Sequence, residues 1–372
     1  MKSLKRIAKG AIITLATIVA LGGSVQSNQN KPVNINKVYL TSCIDNQICS
    51  TAPKDVTLEN KVKLNLVAEG EENGKKIYFS NSDNIKINGK KIGPAEIRKW
   101  NSRDVDVKWY KVESEEDVYQ NASLDRKSFS WDTPSYKETL VEDDDKWGIP
   151  ADAHPTNITK DFNKGLGTMR YKVEVDFDGK KMSTPGKEST NIRGINDDVH
   201  RVSFRKDDSF IGWLTSYFNL PYIFGSAGNP IENHQTEKYI GADCADLIVG
   251  AYRRAGHDIP YTYAAGLVKY ADEVVKEKDL LTDGKNFYNG HKLLKFGKDV
   301  KEGDLILFGK WHIGVIVEDK SSLFSPTFGG PDGIFNKYDE MIHTNFDVPG
   351  RAQVGDYGPF SILRFKENKN EK

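Results

Sequence analysis

Alternating apolar and polar positions mark the first half of the chain as β-rich. The segments with this two-residue period are VKLNLVAEG, KKIYFS, DVDVKWYKVE and GTMRYKVEVDFDGKKM, and the pattern is typical of strands with one buried face. Asp178-Gly179 lies between two such runs and predicts a hairpin turn. Trp109 in mid-strand and Tyr171 near the start of a late strand resemble aromatic positions of an immunoglobulin-like sandwich. We therefore predict a β-rich, immunoglobulin-like domain with insertions over residues 28–200.

The pattern changes near residue 200, where helical periodicity comes before a set of short strands. Residues 204–217 predict a linker that enters an amphipathic helix, and residues 243–255 and 264–278 predict further helices. The apolar segments DLILF, HIGVIVE and SILRF follow as strands. Helices followed by antiparallel strands describe an α+β domain with helices packed on one side of a sheet. We predict such a domain over residues 201–372, since 372 residues exceed what one core usually serves.

The N-terminus has the pattern of an export signal. Four basic residues within the first nine precede the uncharged run 11–21, and small residues follow at Val25 and Ser27. The apolar run is too short to cross a bilayer comfortably, although a retained anchor is the alternative. We expect residues 1–27 to be removed on export, which leaves a secreted or periplasmic protein with no membrane contact in its mature form.

Charge argues against several classes of partner. Lys and Arg together number 53, as do Asp and Glu, and neither half has a basic excess. A nucleic-acid or anionic-membrane binder needs such an excess. The acidic run 142–145 lacks the alternation and the turn glycine of a calcium loop, so we interpret it as a solvated loop. We expect no metal, no cofactor and no nucleic-acid partner.

Three cysteines divide into a pair and a single residue. Cys43 and Cys49 lie in TSCIDNQICS, where they are close enough to form a disulfide that export would preserve. Cys244 has no partner left in the chain. It is either a small buried apolar residue or a reactive thiol.

Cys244 lies at the start of a predicted helix in the segment IGADCADLIVGAYRRAG. Asp243 can cap this helix and Gly256 can end it. In the first turn, unpaired N–H groups and the helix dipole favour a thiolate and can hold an oxyanion. A packing role is the alternative for a cysteine in this position.

A histidine opens a strand in KEGDLILFGKWHIGVIVED. Gly309-Lys310 predicts a turn, and His312 begins the returning strand. A satisfied polar residue is the alternative reading of such a histidine. Nucleophilic catalysis by a cysteine, however, needs an imidazole within hydrogen-bond reach and a third group that orients it.

Four segments, taken in order, resemble the NlpC/P60 peptidases, which are papain-like cysteine hydrolases that cut bacterial cell-wall peptides. They are LPYIFGSAG, GADCADLIVGAYRRAG, EGDLILFGKWHIGVIVED and EMIHTN, within residues 210–365. The resemblance implies a papain-like catalytic domain with helices packed on an antiparallel sheet. It also implies that Cys244 is the nucleophile, His312 the general base and His343 the group that orients His312. Asn345 or Asp347 is the alternative to His343.

The same resemblance assigns residues that bind substrate. Tyr222 would line the site and help polarise the carbonyl, and Asp243 would cap the helix and bind the free amine of the peptide. Trp311, beside the proposed base, would either wall the cleft or pack in the core. Family members usually have Ser and Gly after the cysteine, whereas this chain has Ala245 and Asp246.

We therefore expect a secreted cysteine hydrolase that cleaves an amide bond in peptidoglycan stem peptide through a thioester acyl-enzyme. The first domain would position the enzyme on the wall or on a protein partner. One alternative is an inactive binding or structural protein, and another is a thiol amidase or acyltransferase with a non-wall substrate. A zinc site formed by Cys244, His312 and His343 is a further alternative, but it lacks a local pair such as HxxxH.

Overall fold

The computed structural model describes residues 34–366 apart from residues 46, 101–104, 121–131, 144, 157–163, 229–233 and 322–329. The predicted export signal, residues 1–27, lies outside this part. The chain from Asn34 onward is one compact unit. Strand pairing crosses the predicted boundary at residue 200, because residues 118–120 pair with residues 222–224, and the division into residues 28–200 and 201–372 stays a prediction.

Strands are the main regular structure of the described chain. The strands up to residue 205 are β1 Asn34–Ile44, β2 Cys49–Ser50, β3 Lys54–Thr57, β4 Val62–Glu72, β5 Lys75–Phe79, β6 Ile85–Ile87, β7 Lys90–Lys91, β8 Ile97–Arg98, β9 Val105–Ser114, β10 Val118–Gln120, β11 Tyr136–Val141, β12 Gly167–Phe177, β13 Lys180–Ser183, β14 Thr190–Asn191, β15 Gly194–Ile195 and β16 His200–Arg205. The later strands are β17 Tyr222–Phe224, β18 Ala271–Val275, β19 Leu280–Thr282, β20 Phe287–Asn289, β21 Lys292–Leu293, β22 Leu305–Phe308, β23 His312–Glu318, β24 Glu340–His343, β25 Gly350–Gln353 and β26 Phe360–Phe365.

Helices are few and short. The described α-helices are α1 Phe210–Thr215 and α2 Cys244–Arg254, and the described 3-10 helices are Pro94–Glu96, Ala264–Tyr270, Glu277–Asp279 and Val354–Asp356. Within the described ranges, no helix combines the length and the apolarity that crossing a bilayer requires.

Three large sheets organise these strands. One has the order β7-β6-β2-β1-β4-β5-β8, a second has the order β11-β9-β12-β16-β3 with β13 paired to β12, and a third has the order β18-β26-β22-β23-β24-β25. The hairpin predicted at Asp178-Gly179 is confirmed, because Phe177 pairs with Lys180 and both turn residues have positive φ, at 50° and 85°. A turn with two positive φ angles twists in the same sense as the strands that it joins.

The expected immunoglobulin-like sandwich is wrong. Such a sandwich is built from two antiparallel sheets, whereas β2 pairs parallel to β6, β5 to β8 and β16 to β3. The two aromatic residues that suggested the sandwich are buried by their own strand pairing and hydrogen bonding. Trp109 lies on β9 between β11 and β12, and the Tyr171 hydroxyl donates to the Asp152 carbonyl. Their pattern therefore reports burial and not that fold.

The expected α+β, papain-like domain of helices packed on a sheet is also wrong, since the structure is mostly β with multiple sheets. Residues 264–278, predicted as helix, form a 3-10 helix and then β18. Ala271 of β18 pairs with Phe365 of β26, and Val275 is buried against the sheet. Pairing with a distant strand outweighs local helical periodicity here, because β-branched residues pack well on a half-buried pleated surface.

The third sheet is buried on both faces, and α2 covers only one of them. Alternation along β22 sends Leu305 and Leu307 to the α2 side and Ile306 to the other. The core on the α2 side includes Leu247, Ile248, Ala251, Leu305, Ile313, Val315, Ile342 and Leu363. The core on the opposite side includes Phe287, Ile306, Ile316, Phe335, Met341, Phe360 and Ile362.

Contacts from the N-terminal sheets hold the elements that carry the candidate site. The parallel partner of β17 is β10, with Val118 opposite Tyr222. The guanidinium groups of Arg201 and Arg254 stack on the Tyr239 ring, at 4.3 and 4.2 Å from its centroid. Since Arg254 is the last residue of α2, this stacking fixes the end of the helix whose first residue is Cys244.

Candidate active site

α2 begins at Cys244 because Asp243 caps it. One carboxylate oxygen of Asp243 accepts the amides of Ala245 and Asp246, at 3.0 and 2.9 Å, and the other accepts the Gly225 amide at 3.0 Å. These bonds satisfy donors that a helix start leaves unpaired. The free thiol of Cys244 is thus held at the tip of the helix, partly exposed. Asp243 therefore caps the helix, and its second role of binding a substrate amine stays a prediction.

The Cys244 sulfur lies against the backbone on both sides of His312. It is 3.9 Å from the Trp311 carbonyl oxygen, and the Ile313 amide hydrogen-bonds to it. His312 is the first residue of β23, reached through a turn at Gly309 whose φ is 57°. The thiol therefore lies beside the backbone of His312, and no hydrogen bond joins it to the imidazole in the described structure.

His343 holds the far side of the His312 ring. His312 Nε2 and His343 Nδ1 are 2.9 Å apart, and the rings are arranged edge to face. This contact exists because β23 and β24 are antiparallel neighbours, with Val315 opposite Ile342. Of the alternatives, Asn345 hydrogen-bonds through its side chain to Tyr357, and the Asp347 carboxylate accepts the Val348 amide while its charge acts to raise the pKa of His343.

The predicted substrate residues differ in their placement. Tyr222 is buried on β17, with its ring 4.9 Å from that of Phe346, and the negative charge of Asp243 reaches it. Burial raises the pKa of Tyr222, so its hydroxyl keeps its proton. Trp311 is 83% exposed and so does not pack in the core. It lies on the surface beside the proposed base.

Electrostatics at the site differ from the expectation of a thiolate. Burial, followed by the negative charge of Asp243, raises the pKa of the Cys244 thiol to about 12, against the helix dipole. Burial lowers the pKa of His312 to about 4 and that of His343 to about 3. The resting site therefore holds a thiol and two neutral imidazoles at neutral pH, and not a thiolate–imidazolium pair.

In the sequence, Asp246 is a departure from the pattern of the NlpC/P60 peptidases. In the structure, its carboxyl group joins a preceding loop to the start of α2. Its Oδ2 accepts the Ser226 hydroxyl at 2.8 Å and the Ala227 amide at 2.7 Å, and its carboxyl group also hydrogen-bonds to Asp243. Burial and the Asp243 charge raise the pKa of Asp246 well above its usual value, so the pair shares a proton. The spacing D-x-x-D, which resembles a capping box, is the sequence signal for this pair.

Thiol reactivity should rise steeply with pH. Because only the thiolate attacks an alkylating agent, a thiol pKa of about 12 predicts an iodoacetamide rate that increases about tenfold per unit between pH 6 and 9. Mass spectrometry of the labelled protein measures this rate. Cys244→Ala is the control that should take no label, since Cys43 and Cys49 form a disulfide. A rate independent of pH over this range would instead indicate a preformed ion pair.

The comparisons with known proteins do not identify the chain: no protein-family model matches it, and no curated protein matches it either. In the described part of the chain, no group of three or more His, Cys, Asp or Glu side chains has an arrangement that could hold a metal ion. His312 and His343 direct ring nitrogens at each other, which suits a hydrogen-bonded pair.

Proposed function

We propose that the chain is a secreted cysteine hydrolase that cleaves an amide bond in peptidoglycan stem peptide. The observation that carries the proposal is that the Cys244 thiol lies against the backbone on either side of His312, whose ring pairs with that of His343. A thiol, an imidazole and a group that orients the imidazole are the components of nucleophilic amide hydrolysis. The ordered resemblance of four segments to the NlpC/P60 peptidases supports a cell-wall peptide as substrate.

The resting protonation states determine the first chemical step. Sγ of Cys244 attacks the carbonyl carbon while Nδ1 of His312 takes the thiol proton, because neither group is charged beforehand. The amides of Ala245 and Asp246 already donate hydrogen bonds to Asp243. The oxyanion would therefore take its hydrogen bonds from the Cys244 amide and the Tyr222 hydroxyl.

The remaining steps return the enzyme to its starting state. The tetrahedral intermediate collapses, the C–N bond breaks, and His312 gives its proton to the leaving amine. A thioester to Cys244 remains. Water, deprotonated by His312, then attacks the thioester carbonyl and releases a carboxylate and the free thiol. His343 holds His312 in place throughout, and the exposed Trp311 ring offers substrate a surface beside the base.

An inactive binding protein is a second candidate, and one observation favours it. The thiol has a pKa of about 12 and no hydrogen bond to His312 within the described structure. Catalytic hydrogen bonds are often long before substrate binds, so this observation does not decide against an enzyme. A thiol amidase or acyltransferase with a non-wall substrate shares the same chemistry and differs only in what enters the site.

Digestion of purified peptidoglycan tests the proposal directly. We expect soluble fragments in which each cut produces one new amine and one new carboxylate, with no increase in glycan reducing ends. Mass spectrometry of the fragments identifies the bond. Intact peptidoglycan after incubation with protein whose thiol is still alkylatable would contradict the proposal and favour the binding protein.

A further inference from the structure

We propose that Tyr357 sets the tautomer of His312 by acting through His343. Tyr357 is therefore a positioning residue, because it acts through His343. The effect on catalysis rests on the proposed function. The geometry that carries the inference is a continuous hydrogen-bonded path. His312 Nε2 is 2.9 Å from His343 Nδ1, and His343 Nε2 is 3.1 Å from the Tyr357 hydroxyl.

Both imidazoles on this path are buried and neutral, so each carries a single ring proton. Burial lowers the pKa of His312 to about 4 and that of His343 to about 3. A hydrogen bond between two neutral imidazoles needs one N–H and one bare nitrogen. The two rings must therefore take complementary tautomers, and only two arrangements of the path are available.

Only one of these arrangements allows base catalysis. If the Tyr357 hydroxyl accepts from His343 Nε2–H, then His343 Nδ1 is bare and accepts from His312 Nε2–H. His312 Nδ1 is then free to take the thiol proton. If the hydroxyl instead donates to His343, every bond reverses, and His312 carries its proton on Nδ1, where it cannot act as a base.

The proposed function requires the arrangement in which the Tyr357 hydroxyl accepts from His343 Nε2–H, because only that arrangement leaves His312 Nδ1 bare. The path then runs from His312 through His343 to Tyr357, with each group donating to the next.

The position of Tyr357 is fixed by packing that does not depend on the hydroxyl. Its ring centroid lies 5.2 Å from that of Phe308 and 5.0 Å from that of His343. The preceding 3-10 helix, Val354–Asp356, is held by a bond from the Gly355 amide to the Lys337 carbonyl at 2.9 Å. A phenylalanine at position 357 should therefore keep the fold and remove only the hydrogen bond.

Nitrogen-15 NMR of the histidine rings tests the inference without any substrate. In the wild type at pH 7 we expect His312 to carry its proton on Nε2 alone. In Tyr357→Phe we expect a mixture of Nε2–H and Nδ1–H forms at His312, with hydrolysis reduced about 10-fold, a typical loss when a supporting hydrogen bond is removed. Tyr288→Phe, whose hydroxyl bonds to Asp283 at 2.9 Å, is the control that should change neither.

The results separate this inference from the proposed function. An unchanged tautomer at His312 in Tyr357→Phe overturns the inference, whether or not the protein hydrolyses peptidoglycan. A tautomer that changes in a protein without hydrolytic activity supports the positioning role and removes the proposed function. A loss of activity in Tyr357→Phe with no change of tautomer would assign Tyr357 to substrate binding and also overturn the inference.

Discussion

Replacing Cys244 with alanine should reduce peptidoglycan cleavage at least about 1000-fold, because no other side chain at the site can form the thioester. The thermal unfolding midpoint should stay within about 2 °C of the wild type, since Cys244 is partly exposed and its hydrogen bond to the Trp311 carbonyl is long, at 3.9 Å. Fragment release measured by mass spectrometry and unfolding followed by circular dichroism check the two parts of this expectation.

Histidine variants provide the comparison for the cysteine variant. His312→Ala should lose nearly as much activity as Cys244→Ala, and the double variant should be no worse, because groups that act as one unit give non-additive losses. His291→Ala, at an exposed turn, should retain full activity. A destabilisation of about 2 kcal/mol in Cys244→Ala, with cleavage retained, would identify Cys244 as a packing residue and reject the proposed nucleophile.

Local sequence signals predicted part of the fold. The hairpin at Asp178-Gly179 and the helix that starts at Cys244 each depend on a few consecutive residues whose turn and capping preferences are intrinsic. Parallel pairs such as β3 with β16 depend on residues about 150 positions apart, and alternation along one strand does not reveal its partner. Residues 264–278 carry helical periodicity, yet β18 forms there because β26 lies beside it.

Part of the candidate site was also predictable from local sequence and part was not. The start of α2 places Asp243 and Cys244, the start of β23 places His312, and the sequence marks both boundaries. The order of motifs indicated His343. Tyr357 follows a short 3-10 helix and reaches His343 only through the packing of the third sheet, so no local pattern predicts it. The thiol pKa of about 12 also has a non-local origin, because burial by distant strands exceeds the effect of the helix dipole.

Asp246→Ala should lower the free energy of unfolding by about 3 kcal/mol, because it leaves the buried Ser226 hydroxyl and Ala227 amide without their acceptor. Asp246→Asn should lower the free energy of unfolding much less. The amide oxygen keeps these two bonds, and the amide N–H donates to Asp243 in place of the protonated carboxyl group. Urea unfolding at pH 5 and pH 8 measures both variants. Asp258→Asn, on a fully exposed side chain, should stay within about 0.5 kcal/mol of the wild type.

The pH dependence of the Asp246→Asn comparison distinguishes a shared proton from a simple ion. The folded-state pKa of Asp246 is raised above its unfolded value, so the contribution of this carboxyl is fully present below the unfolded pKa and is lost as pH rises toward the folded pKa. Between these two pKa values, the free energy of unfolding of the wild type should fall by up to about 1.4 kcal/mol per pH unit relative to that of Asp246→Asn. Equal, pH-independent losses in the alanine and asparagine variants would show that Asp246 is ionised in the fold. The segment from Gly225 to Ala227 would then be held to the start of α2 by hydrogen bonds to two ionised carboxylates, and Asp243 and Asp246 would not share a proton.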